Sequence, residues 1–226
     1  MAVEYRVISI GTLSRNLLWS EVAPVRTAHA TVTLICDGKR KILVDPSLPE
    51  QVLAARFNER TGTGLSEITD VFCTTLRPAH RRGIEALSHA GWWTGESELE
   101  TYRGHLEGLR GSADRLSSED TATIETDLGL LERFAPAPEK FTHQVHLYPL
   151  QGPSPGSMGL LLTPATTTVV VAGDAAVTAE HIRAGQIWHG CADHEASMAS
   201  LRDLLELADI IIPGHDNLMI APGRWL

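Results

Sequence analysis

Positive charge, cysteine and aromatic side chains are all scarce in this sequence, and each shortage narrows what the chain can do. Nineteen lysines and arginines face 28 aspartates and glutamates, for a formal net charge of −9. A general binder of nucleic-acid phosphates needs a clustered basic face, so nucleic acid is not an expected partner. The three cysteines, Cys36, Cys73 and Cys191, are odd in number and scattered, which argues against a disulfide framework. Cys36 and Cys73 sit in apolar, strand-like runs and are expected as buried free thiols, a pattern that fits a reducing cytoplasm. The chain does not open on a basic stretch followed by a long apolar one, and no apolar run approaches the ~20 residues that span a membrane. Neither secretion nor a membrane partner is expected.

What is present is ordinary globular material. Hydrophobic residues make up 43% of the 226 and charged residues 21%, enough to build one core, so a single domain over residues 1–226 is expected. β-Branched runs at residues 5–10, 31–36 and 41–45 read as strands, the last two joined by the hairpin signal Asp37-Gly38. Apolar positions at helical spacing follow over 49–60, then a strand at 70–74 and a helix over 80–91. Residues 111–124 are polar and turn-rich, and a helix near 124–134 follows them. Strand character returns in "QVHLYPL", "SMGLLLTP" and "TTTVVVAGD", then a helix over 195–208 and the strand "DIIIPGHD". Two β-rich halves with helices at intervals predict a four-layer αββα sandwich of the α/β (α+β) class.

In layered α/β proteins, polar residues just beyond strand C-termini project into a shared crevice where ligands collect. Four such corners exist: Asp45 after "KILV", residues 75–80 after "VFCT", Asp174 after "VVVAG" and His215 after "IIIPG". This ordered set, with "LVDP", the terminal "PGHD" and the "SPGS" before residues 158–163, resembles the metallo-β-lactamase superfamily in its glyoxalase-like hydrolase branch. The resemblance implies that family's fold and a crevice built for two metal ions held through an HxHxDH motif. Aligned to that motif, Thr75 falls on the first histidine, Arg77 on the second, Ala79 on the aspartate and His80 on the last histidine. A further family histidine falls on Pro153, while the bridging aspartate matches Asp174 and the final histidine His215.

The resemblance therefore implies that the first metal position has lost its three histidines, whereas the second keeps His80, Asp174 and His215. Threonine, arginine and proline offer no imidazole lone pair, so a two-ion site is not expected. A guanidinium would repel a cation, and Arg77 is expected to pair with Asp174 and stand in for the lost metal's charge. Two histidines and a carboxylate still suit one divalent ion, zinc first and iron or manganese next, with His80 and Asp174 closest to the chemistry. An ion-free crevice is equally compatible with these residues.

Other candidates read as structure. Asp45 is expected to anchor its loop through backbone amides. Arg81 and Arg82 read as a solvated helix face, with Arg82 within reach of an anionic ligand. His189, Cys191 and His194 have ligand-capable spacing, but capping by Asp193 and packing explain that segment more simply. His143 and His146 in one strand, and Trp92 and Trp93 in another, read as core or edge positions. Trp225 and Leu226 offer an apolar seat in a neighbour or on the chain's own surface, which leaves the oligomeric state open. The leading functional expectation is a mononuclear metal-dependent hydrolase acting on a small anionic or ester-like molecule. Its rivals are a non-catalytic ligand- or partner-binding protein and metal-free acid–base chemistry by His80, His215 and Asp174.

Overall fold

The computed structural model describes residues 2–112 and 116–222. In chain order the strands are β1 (Glu4–Ser9), β2 (Val32–Asp37), β3 (Arg40–Val44), β4 (Asp70–Phe72), β5 (Gly91–Thr94), β6 (Phe134–Pro136), β7 (Val145–Pro149), β8 (Met158–Leu162), β9 (Val169–Gly173), β10 (Ile210–Pro213) and β11 (Met219–Ile220). The helices are α1 (Glu50–Thr61), α2 (Pro78–Arg81), α3 (Glu96–Arg110), α4 (Ser118–Leu131), α5 (Ala179–Arg183) and α6 (His194–Leu207). Two sheets form, one in the order β1-β2-β3-β4-β5-β6 and the other β11-β10-β9-β8-β7. The β2–β3 hairpin turns through Gly38 at φ 62°, and β3 to β6 run parallel.

Period-two alternation on strands that are apolar on both faces sorts the side chains into three layers of core. Ile42 and Val44 of β3, Phe72 of β4, Val169 and Val171 of β9 and Ile212 of β10 point between the sheets. Their neighbours Leu43, Val71 and Cys73 face the other way, against α1, α3 and α4. Val170, Ala172 and Ile211 pack beneath α5 and α6. The result is the expected αββα sandwich, with β3, β4, β9 and β10 ending at one rim.

Local details depart from the sequence expectation for identifiable reasons. Instead of one helix over 80–91, the chain makes the single turn α2 and then a 3₁₀ turn at Ile84–Leu87. Gly83 explains the break: a Cβ there would lie 2.3 Å from the Leu48 carbonyl oxygen, and its N–H is given to the Pro46 carbonyl rather than to a helix. α4 starts at residue 118, earlier than expected, because Ser117 and Asp120 form a capping box. Cys73 is buried, as expected, but Cys36 is only half-buried, since it lies near the end of β2 opposite Glu4. Trp225 and Leu226 lie outside the described residues.

Arg81 is the clearest correction. It is buried rather than solvated, and its guanidinium donates to the Leu76 carbonyl, Tyr102 Oη of α3 and Asp127 Oδ2 of α4. The pairing ties the active-rim loop to two helices that the local sequence gives no reason to connect. Arg82 is exposed and donates to the Ala28 carbonyl. Replacing Arg81 with alanine strands Asp127 beside a packed interface and removes the loop's tie, so the unfolding free energy should fall by about 3 kcal/mol. Urea denaturation measures this, and an unchanged midpoint would mean that the buried ion pair contributes nothing net.

Candidate active site

The rim where β3, β4, β9 and β10 end holds all four predicted corners. Three loops meet there so closely that two positions require glycine. Gly173 has φ 53°, and a Cβ on it would lie 2.4 Å from Thr74 Oγ1. Gly214 passes so close that its Cβ would sit 2.7 Å from the Gly173 carbonyl oxygen. The residues that follow each glycine, Asp174 and His215, are thereby carried into contact.

Asp45 ends β3 in the left-handed region, at φ 50°, a conformation that aspartate tolerates better than most residues. Its fully buried carboxylate accepts hydrogen bonds from Thr74 N–H (2.8 Å) and Thr74 Oγ1 (2.8 Å), and lies 3.1 Å from His80 Nδ1. The loop-anchoring role expected for Asp45 is therefore present, with the added task of orienting His80. Thr74 Oγ1 gives its proton to Asp45, so the oxygen facing His80 Nδ1 at 3.3 Å is also an acceptor. With acceptors on that side, His80 carries its hydrogen on Nδ1 and turns Nε2 inward.

His215 follows the same logic. Its Nδ1 lies 3.1 Å from the Thr12 carbonyl oxygen and 2.9 Å from that of His29, so this nitrogen is the donor. Its Nε2 stands 3.0 Å from Asp174 Oδ1, and His80 Nε2 stands 3.2 Å from the same oxygen. The rings meet edge to face at 84°, with centroids 5.7 Å apart. Among the described residues, these are the one group of three histidine, cysteine, aspartate or glutamate side chains whose ligand atoms converge, all within 4.8 Å of one another.

Asp174 is buried, and its second oxygen has a different partner. Oδ2 accepts from Arg77 at 3.0 Å, the other arm of the guanidinium donates to the Pro153 carbonyl, and its plane lies over Trp188 with 4.2 Å between centres. The pairing expected for Arg77 is present. Burial works against the charge on Asp174, yet the charge of His80 outweighs it and holds the carboxyl well below its usual range. Burial likewise opposes a charge on His80, but Asp174 and then Asp45 raise its pKa to about 10.

The three converging groups open into a cavity of about 480 Å³. Leu13, Pro24 and Ala28 are apolar residues of its lining, which also includes Arg15 and His189. Of the uncertain trio, His189 reaches the crevice, whereas Cys191 is held through its backbone N–H to the Trp188 carbonyl and His194 is exposed at the start of α6. Asp193 caps that helix through Ala196 N–H at 2.9 Å. Thr75 does not face the histidines. It donates to Glu98, a 2% exposed carboxylate that also accepts from Leu76 N–H and Ser154 Oγ. Sequence reasoning missed Glu98, Trp188, Arg15 and the carbonyls of Thr12 and His29. The acidic start of α3 was the sole sequence signal among them.

The model of the metallo-beta-lactamase superfamily matches residues 26–215, and the chain belongs to that superfamily. No curated protein matches the chain. Among solved structures, a Thermotoga maritima protein assigned as a metallo-beta-lactamase is similar over 97% of this chain and 100% of its own, at 15% identity and a TM-score of 0.71. AidC, a dizinc quorum-quenching lactonase, is similar over 86% of this chain and 77% of its own, at 17% identity and a TM-score of 0.67. AiiA of B. thuringiensis, seen with N-decanoyl-L-homoserine at its active site, is similar over 96% and 94%, at 17% identity and a TM-score of 0.65. At these identities the likeness is one of fold.

Arg77 is the group whose removal the geometry makes easiest to read. Its side chain is 26% exposed and that of Asp174 5%, so alanine at position 77 uncovers one face of a nearly buried carboxylate. The ion-free Arg77→Ala protein should lose about 2 kcal/mol of unfolding free energy, somewhat below the range for a fully buried pair because water can enter. Equal denaturation midpoints for variant and parent would show that the guanidinium is dispensable to the fold.

Proposed function

We propose that the protein is a hydrolase that holds one divalent ion with His80, Asp174 and His215 and acts on a small anionic or ester-like substrate. The observation that carries this reading is the fixed direction of two imidazole lone pairs. Because both Nδ1 atoms face acceptors, both neutral rings present Nε2 to the same oxygen of Asp174. Lone pairs aimed at an anion repel it unless a proton on His80 or a cation lies among them, and the donor set fits a metal ion in that place. Zinc matches two nitrogens and an oxygen best, with iron and manganese as the next choices.

When bound, a divalent ion would acidify a water molecule and polarise a carbonyl or phosphoryl oxygen. The chain's own residues do the rest. Asp45 and Thr74 hold the His80 ring against rotation, and the two backbone carbonyls do the same for His215. Arg77 neutralises the outer oxygen of Asp174 and leaves the inner one for the ion. Leu13, Pro24 and Ala28 reduce the water beside a bound substrate. A protonated His80 is the competitor, since the proton must leave before that ring can become a ligand.

The rival reading, a protein that binds a small molecule or partner without catalysis, draws on the same Arg77–Asp174 pair, which satisfies the carboxylate without a metal. Elemental analysis separates the two. Protein purified without a metal-affinity tag, then equilibrated with zinc and dialysed, should retain close to one ion per chain, and both His80→Ala and Asp174→Asn should lose it. The loaded parent should hydrolyse simple activated esters at least tenfold faster than either variant, the smallest effect expected from removing a metal ligand. No retained metal in the parent would overturn the proposal in favour of its rival, and two ions per chain would overturn the single-ion assignment.

A further inference from the structure

The cavity that holds the histidines also carries a charge that the proposed chemistry does not use. Arg15 is half-buried in the segment between β1 and β2 and donates to the Val22 carbonyl at 3.1 Å. Its other arm stands 3.5 Å from His189 Nε2. Among the described residues no carboxylate lies within ion-pair distance of Arg15, although Arg26, Arg40, Arg77 and Arg81 each have one. A half-buried arginine without an acidic partner is unexpected in a chain of net charge −9, and this one faces a cavity rather than bulk solvent.

We infer that Arg15, assisted by His189, is an anion subsite that selects substrates carrying a carboxylate or phosphate a few bonds from the bond to be broken. Arg15 lies three residues beyond Thr12, whose carbonyl holds His215, so its Cα is within about 11 Å of that carbonyl's residue. The guanidinium keeps several N–H donors free after its one backbone bond, in the planar fork that matches carboxylate or phosphate oxygens. Trp188, already against Arg77, and Leu13 line the same cavity as this fork and the histidines. The two arginines thus divide the work: Arg77 is spent on Asp174, and Arg15 is left for the ligand.

The selectivity rests on the hydrolase reading, whereas anion binding does not, and the test keeps them apart. Matched esters, para-nitrophenyl butyrate and mono-para-nitrophenyl succinate, are compared on the zinc-equilibrated parent, Arg15→Gln and Arg15→Lys. The glutamine keeps a donor for the Val22 carbonyl, so it tests charge more than loop folding. The parent should favour the succinate ester, Arg15→Gln should lose about tenfold in kcat/KM on it with butyrate unchanged, and Arg15→Lys should fall between. In the second arm, succinate and inorganic phosphate are titrated into the ion-free protein while the Arg15 side-chain N–H signal is followed by NMR. Saturable shifts that weaken with salt support the subsite, and the tighter of the two anions identifies its source chemistry. If neither ester is turned over, the hydrolase reading fails and the titration alone decides the subsite. An unchanged succinate-to-butyrate ratio in Arg15→Gln, or an Arg15 signal that neither anion moves, overturns it.

Discussion

The charge on Asp174, a side chain only 5% exposed, sets the terms for every other group in the crevice. A carboxylate withdrawn from water is costly unless several donors or cations surround it. Here one oxygen takes the two histidines and the other takes Arg77, so the carboxylate is matched on both sides. Neutral histidines cannot be donors in these orientations, because their Nδ1 hydrogens are committed elsewhere. The cluster therefore needs positive charge near Oδ1, and a proton on His80 or an ion among the three groups meets the same demand. A proton on His80 and an ion would compete for one position.

Bringing these groups together places demands on the backbone that extend well beyond the site. Asp174 and His215 come from adjacent parallel strands, β9 and β10, and can meet because the glycine before each lets one loop lie against the other. His80 comes from the other sheet, on the loop that Asp45 and Thr74 pin from one side and Arg81 from the other. Even the first loop of the chain takes part, since Thr12 and His29 pair across an isolated bridge and together present two carbonyls to His215. The αββα sandwich acts as a frame that aligns two sheet rims, and the short connections at that rim carry the polar groups.

Where the superfamily's first metal would be expected from the motif alignment, this chain has two separate polar arrangements. Arg77 spans from Asp174 to the Pro153 carbonyl, and Thr75 turns aside to join Glu98 and Ser154 in a buried network. Thr75, Arg77 and Pro153 thus have partners of their own rather than leaving unfilled gaps.

Much of the fold was legible in the sequence because β-branched runs and strand-end polar residues are local signals. The strands after which Asp45, His80, Asp174 and His215 fall could be placed within about three residues, and the order of those corners carried the family resemblance. Charge opposition was legible too: a guanidinium and a carboxylate facing one crevice pair wherever the loops allow, so Arg77 and Asp174 could be matched across 97 positions. What the sequence could not determine depends on contacts between distant segments. The end of α2 follows from the approach of Gly83 to Leu48, the burial of Arg81 from Asp127 on a helix 46 positions away, and the aim of both histidines from carbonyls and a carboxylate set by other loops. A residue's type states which bonds it can make, but only the packed chain decides which partners come within 3 Å and from which side.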